Sequence, residues 1–260
     1  MLTSVPALVS ESSAAPDNVP GDLQQLRNAR WEKQKAFQYM QKFGEVKGCN
    51  YVPSDGSGVM NSPNDELIRR ELGWARDVAG LNSMRVGVQL AEFQIDPDRL
   101  YANFEKFLDA CDKNQIKVLP VLSLESVLDP DVSPATAGAD HPTMDFHPSL
   151  HGGGWRYPNR IHWPCCNPEG PIPAKATAAW ERTKPAAEKF FRSFLSRFAK
   201  DERILLWDLY NEAPKSARAL VERIFQWARE VGPLAATFSL LAGARSLRRD
   251  YVSHIRTSGV

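Results

Sequence analysis

Three β-prone runs begin near residues 48, 81 and 116, and each is separated from the next by a stretch with helical apolar spacing. Val46–Ser54 is the first run and leads into a Pro/Ser/Asp/Gly loop. Leu81–Gln89 is the second and Ile116–Ser123 the third. Strand–helix repetition at this step predicts right-handed βαβ units and a parallel sheet flanked by helices. That inference constrains the chain more than its composition does. At 260 residues, with 43% hydrophobic and 24% charged residues, the composition is that of an ordinary globular protein.

The intervening segments carry the expected helix signals. Trp31–Phe43 places Trp31, Ala36, Phe37, Met40 and Phe43 on one face, and Gly44 can end it. Asn64 is a candidate N-cap for a helix with Leu67, Ile68, Leu72, Ala75 and Val78 inward. Asp96-Pro97 opens another, with Leu100, Phe104, Phe107, Leu108 and Cys111 on one side. Pro120 falls inside the third strand, and on sequence grounds would demote it to a sheet edge.

The rhythm then breaks. Residues 124 to about 174 are rich in Pro, Gly, His and Trp, and a loop of that length inside a domain points to function or disorder. A helix is expected from about Pro185 to Lys200, with Phe190, Phe191, Phe194, Leu195 and Phe198 inward as core. A fourth strand, Arg203–Glu212, and a helix over about Ser216–Val231 follow, closed by Gly232-Pro233. Leu234–Leu241 can supply one more strand before a basic tail, Arg245–Val260. The fold class is therefore α/β, of TIM-barrel type but incomplete, with about four to five parallel strands. Residues 1–30 form a mobile leader, 31–232 half a barrel and 233–260 an atypical tail.

The fourth strand carries the chemistry. It ends in Asn211-Glu212 and is stopped by Pro214, so an amide and a carboxylate sit together at the C-terminal end of a barrel strand. Period-2 alternation puts Asp208, Tyr210 and Glu212 on one face. A carboxylic acid at such a mouth can reach substrate while partial burial lifts its pKa. Arg85 lies in the middle of an apolar strand and needs a carboxylate nearby, and Asp208 is expected to pair with Arg85 or another barrel cation.

Four segments occur in order along the chain: Gly48-Cys49-Asn50-Tyr51-Val52-Pro53-Ser54, Glu71-Leu72-Gly73-Trp74-Ala75, Asn82-Ser83-Met84-Arg85-Val86 and Trp207-Asp208-Leu209-Tyr210-Asn211-Glu212. Together they resemble the cellulase-like (β/α)₈ barrels of glycoside hydrolase family 5 over about residues 31–232. The resemblance implies a retaining hydrolase of cellulase or mannanase type acting on β-linked polysaccharide or oligosaccharide. It implies Glu212 as general acid/base, Asn211 on the sugar 2-hydroxyl and Arg85 bracing the nucleophile. The family's nucleophile, a Glu after the seventh strand, has no match in this chain. The third strand ends in Ser123-Leu124-Glu125, without the polar and aromatic residues the family would place there. Retaining hydrolysis needs two carboxyls about 5–5.5 Å apart. Glu125 is read from the sequence as the only other carboxylate near a strand end.

Trp155, Tyr157 and Trp163 in the long loop are candidate sugar-stacking platforms, since pyranose faces pack on aromatic rings. Tyr210 and Asn50 join them as candidate substrate contacts. The alternative reading is a non-catalytic carbohydrate-binding half-barrel, or one that self-associates, because open first and last strands invite pairing into a homodimer.

Other constellations are weaker. His141, His147, His151 and His162 precede Cys165-Cys166, but the spacings match no zinc pattern, and no metal or other cofactor is expected. Cys49 and Cys111 read as small packed hydrophobes rather than a disulfide framework. A net charge of +1 without a basic stripe gives no reason to expect nucleic acid or an anionic membrane as partner. No apolar run approaches the roughly 18 residues that span a bilayer. The first 22 residues contain no Lys or Arg and only a short apolar cluster, Val5–Val9, unlike a signal peptide.

Overall fold

The structure is a computed structural model, and it describes residues 31–124, 127–128, 143–145, 154–156, 174–211, 218–232 and 236–237. Its main sheet holds five strands, β1 (Gly48–Asn50), β2 (Ser83–Gln89), β3 (Lys117–Ser123), β6 (Trp207–Asp208) and β7 (Ala236–Thr237). They lie side by side in chain order and every pairing is parallel. Helix α1 (Lys33–Phe43) precedes β1, and α2 (Asp65–Asp77), α3 (Leu90–Ile95), α4 (Pro97–Lys113), α5 (Ala174–Phe198) and α6 (Arg218–Val231) run between the strands. This is α/β architecture of partial TIM-barrel type, with sequential parallel strands and crossover helices.

Local chemistry explains where the helices start. The Leu67 amide donates to Asn64 Oδ1 at 3.2 Å, and Asp65 and Glu66 sit in the first turn of α2 where the helix dipole favours negative charge. At α4 the Arg99 amide donates to Asp96 Oδ1 at 2.9 Å, with Pro97 opening the helix. No helix is expected from the residues between β2 and Asp96, yet α3 forms there. A reciprocal cap starts it, in which the Gln89 amide donates to Glu92 Oε2 at 2.9 Å.

Period-2 alternation sorts β2 into two faces. Met84, Val86 and Val88 are buried in the core shared with the helices, whereas Arg85, Gly87 and Gln89 face the other way and Gly87 is exposed. The core is aromatic. Phe104, Phe190, Phe194 and Phe198 pack with ring centroids 4.9 to 5.8 Å apart, and Phe194 meets Trp207 edge-on. Cys111 is fully buried in this core, while Cys49 is exposed on β1.

Three expectations need correction. The helix expected from Pro185 begins at Ala174 and holds Pro185 in its interior. The proline removes one backbone bond but faces solvent, and the buried Ala187, Phe190, Phe191 and Phe194 beyond it anchor the helix. The long loop contains an antiparallel pair, β4 (Thr143–Asp145) and β5 (Gly154–Arg156).

Pro120 does not sit on an edge strand, because β3 is paired on both sides. The backbone shows how. The Val118 amide donates to Arg203 O and the Leu205 amide to Val118 O, whereas the Lys117 amide bonds toward β2. Two residues after Val118, the missing N–H of Pro120 therefore faces the β6 side, where the ladder lapses between the Val118–Ile204 bridge and the Val121–Asp208 pair. The Leu205 carbonyl, level with that gap, instead accepts the Tyr39 hydroxyl at 2.5 Å.

Candidate functional site

Arg85 organises the C-terminal side of the sheet. Its Nη2 donates to Asp208 Oδ2 at 2.8 Å and to Asn211 Oδ1 at 2.8 Å. Its Nε reaches the same Asp208 oxygen at 3.2 Å, and its Nη1 donates to Asn50 Oδ1 at 3.0 Å. The register makes this possible. Asn50 is level with Arg85 on the neighbouring strand, while Asp208 pairs with Val121, itself level with Gly87. The guanidinium thus crosses the open face of β3 and joins β1, β2 and the end of β6.

The two sides of the ion pair differ in exposure. Asp208 has only 4% of its side chain accessible and Arg85 has 28%. The carboxylate is desolvated and fixed, also accepting the Tyr210 amide at 3.3 Å, and the guanidinium keeps one edge toward the open face. A charge-assisted, multiply bonded Arg of this kind is geometrically rigid. It holds Asn50 and Asn211 by their amide oxygens.

A second ordered group sits beside β1. The Tyr51 hydroxyl donates to Glu71 Oε2 at 2.8 Å, and the Ser54 amide donates to Glu71 Oε1 at 3.1 Å. Tyr51 also stacks on Phe107, and burial together with the Glu71 carboxylate pushes its phenol far above its ordinary value. This clamp fixes the loop leaving β1, so Asn50 enters it from a braced strand.

Of the residues singled out in the sequence, Arg85, Asn50 and Asn211 come together. Tyr210 is buried at 3% exposure within the core. Trp155 falls in β5 by its backbone. Glu212, Glu125, Tyr157, Trp163 and the His/Cys residues 141, 147, 151, 162, 165 and 166 lie outside the described residues. Among the described residues there is no group of three or more metal-ligating side chains, and no helix is long and apolar enough to cross a membrane.

One carboxylate at a strand end was missed. Glu92 follows β2 by three residues and is a second carboxyl near a strand end that the sequence reading did not count. Burial pushes its pKa up to about 7, against smaller opposing effects from the Gln89 amide and Arg99. Its position in the reciprocal cap gives it a structural task. The Gln-x-x-Glu spacing at the end of the second strand was the signal that could have revealed it.

No protein-family model matches this sequence, and no curated protein matches it either. Among solved structures the chain is similar to a glycoside hydrolase at 14% identity, covering 76% of this chain and 54% of that one, with a TM-score of 0.42. It is similar to an exo-β-1,4-mannosidase from Opitutaceae bacterium strain TAV5 at 20% identity, over 71% and 30% of the two chains, with a TM-score of 0.41. A glycoside hydrolase family 5 mannosidase from Rhizomucor miehei is 12% identical over 76% and 52%, with a TM-score of 0.45. The chain spans about half the length of two of these proteins and less than a third of the other.

Proposed function

We propose that residues 31–232 form the acid/base half of a retaining glycoside hydrolase acting on a β-linked polysaccharide or oligosaccharide, of cellulase or mannanase kind. The observation that carries this reading is the Arg85 array. A strand-borne guanidinium, pinned by a buried Asp208, holds Asn50 and Asn211 on the C-terminal side of a parallel sheet, where barrel chemistry is built. In this reading Glu212, the residue after Asn211, protonates the glycosidic oxygen. The Asn211 amide donor meets the sugar hydroxyl beside the anomeric carbon, and Arg85 steadies the anionic partner. Attack at the anomeric carbon needs a second carboxylate about 5–5.5 Å from the first. Glu92 is occupied by its cap, so that second group is a separate requirement on the whole protein.

The test is reducing-end release from β-1,4-gluco- and manno-oligosaccharides by the full 260-residue chain. Turnover that falls about 10²–10⁴-fold in Glu212→Gln supports the hydrolase. Saturable sugar binding without turnover, weakened by Asn211→Ala, supports a non-catalytic sugar-binding half-barrel. Neither binding nor turnover removes both readings. The alternative is a half-barrel that self-associates into a homodimer through the open edges of its first and last strands, which sedimentation equilibrium would show as a doubled mass.

A further inference from the structure

At the opposite end of the sheet from Arg85 lies a cavity of about 380 Å³. Its floor is the start of β6 and the residues before it, Ile204, Leu205 and Trp207, and its wall is α1 with the residue Trp31 just before it. The volume falls in the range of small-molecule pockets, about 300–1,000 Å³. Helix α1 lies over this end of the sheet without burying a single residue of its own. Tyr39, bonded to the Leu205 carbonyl, and Phe43 line the space together with Trp31, so an aromatic-walled gap stands where side chains would ordinarily interdigitate.

The rim is cationic. Lys42, Lys117 and Lys200 border the cavity, against Asp201 and Glu202. Asp201 is taken up by Arg203, which donates to it at 2.5 Å while also binding Glu105 and Asp109, and the same guanidinium holds the Asp201 pKa below the ordinary value. Lys117 lies 3.9 Å from Asp112, a loose pairing. At the rim itself Lys42 and Lys200 outnumber Glu202 and favour an anion between them, while aromatic rings and an apolar floor favour a flat, apolar body.

We infer that this cavity is a binding site for a small aromatic anion, such as an aryl carboxylate or sulfonate, distinct from the Arg85 site. The ring packs between the edge-to-face pair of Trp31 and Tyr39 on one side and Trp207 on the other, and the acid group stays at the rim between Lys42 and Lys200. The inference does not depend on the hydrolase reading, because no residue is shared between the two ends.

The probe is 8-anilinonaphthalene-1-sulfonate, titrated into the full chain at low salt and followed by its fluorescence and by tryptophan quenching. The expected result is saturable one-to-one binding. Lys42→Glu and Lys200→Glu should each weaken it about three- to ten-fold, as expected for a reversed charge near a half-exposed site. Trp31→Ala should weaken it further, and Lys106→Glu on the far side of α4 should leave it unchanged. Near-ultraviolet circular dichroism shows that each variant retains its packing. The uncharged analogue N-phenyl-1-naphthylamine should bind at least about three-fold more weakly. Absence of saturable binding, equal affinity for the uncharged analogue, or indifference to both lysine reversals would overturn the inference.

Discussion

Replacing Glu92 by Gln should raise stability at alkaline pH and leave it unchanged in acid. The folded carboxyl titrates near 7, whereas an ordinary glutamate titrates at 4.5. The folded state therefore holds its proton more tightly than the unfolded chain does. Stability from that proton is fully present below about pH 4.5 and is lost as pH rises through about 7. The step from 4.5 to about 7 corresponds to about 3 kcal/mol, since each pH unit is worth about 1.4 kcal/mol. Glu92 keeps partial contact with solvent, so we take about 1–3 kcal/mol as the expected range.

Gln resembles the protonated form and retains an oxygen for the Gln89 amide, so the cap of α3 survives. Denaturant unfolding of both proteins from pH 4.5 to 8.5 gives the difference directly. The variant should match the parent near pH 4.5 and exceed it by about 1–3 kcal/mol at pH 8. Other carboxylates, such as Asp201 and Glu230 held low by Arg203 and Arg192, contribute equally to both proteins and cancel. A difference that is flat across pH, or a variant less stable at pH 8, would refute the reasoning.

Asp208→Ala should cost about 2–4 kcal/mol, below the full cost of breaking a buried pair because Arg85 keeps 28% exposure. With Arg85→Met on the same background most of that loss should disappear, which a double-mutant unfolding cycle measures. Gly48→Ala would place a Cβ 2.1 Å from Ser83 Oγ and 2.6 Å from Ser83 O. The backbone oxygen cannot yield cheaply, so denaturant unfolding should show a loss of about 1–3 kcal/mol and hydrogen exchange should quicken in β1. Tyr39→Phe leaves the Leu205 carbonyl without its donor and should cost about 1–2 kcal/mol in the same assay.

Strand order and helix placement were legible because apolar periodicity and caps are local: Asn64 and Asp96 each announce a helix within three residues of where the bond forms. The partnership of Arg85 with Asp208 was legible for a different reason, since a charge inside an apolar strand must be neutralised whatever the fold. Helix α3 was hidden because its start depends on a cap between Gln89 and Glu92 that also reads as a strand end. The start of α5 at Ala174 was hidden because Pro185 looks like a boundary, and only the packing beyond it carries the helix through. The bottom cavity left no periodic signal at all. It arises from how α1 lies on the sheet, which no residue in α1 specifies alone.

Pro120 connects these observations. By removing a donor toward β6 it leaves that strand only two residues long and thinly laddered to β3. Its other edge pairs in parallel with β7, and on the β3 side a set of side-chain ties supplements the ladder. Tyr39 takes the Leu205 carbonyl, Arg203 binds Asp201 together with Glu105 and Asp109 of α4, and Arg85 binds Asp208 from across β3. Two of these ties act at the start of the strand and one at its end. Toward β2 and β3, the position of Asn211 therefore rests on the Arg85–Asp208 pair more than on the sparse β3–β6 ladder. Conservative disruption of that pair, as in Asp208→Asn, should displace the residues after β6 while the aromatic core under Trp207 stays packed. Amide exchange at Leu209 to Asn211 should then accelerate well beyond that of β2 and β3. Equal acceleration in all three strands would mean that β6 is held by the sheet after all.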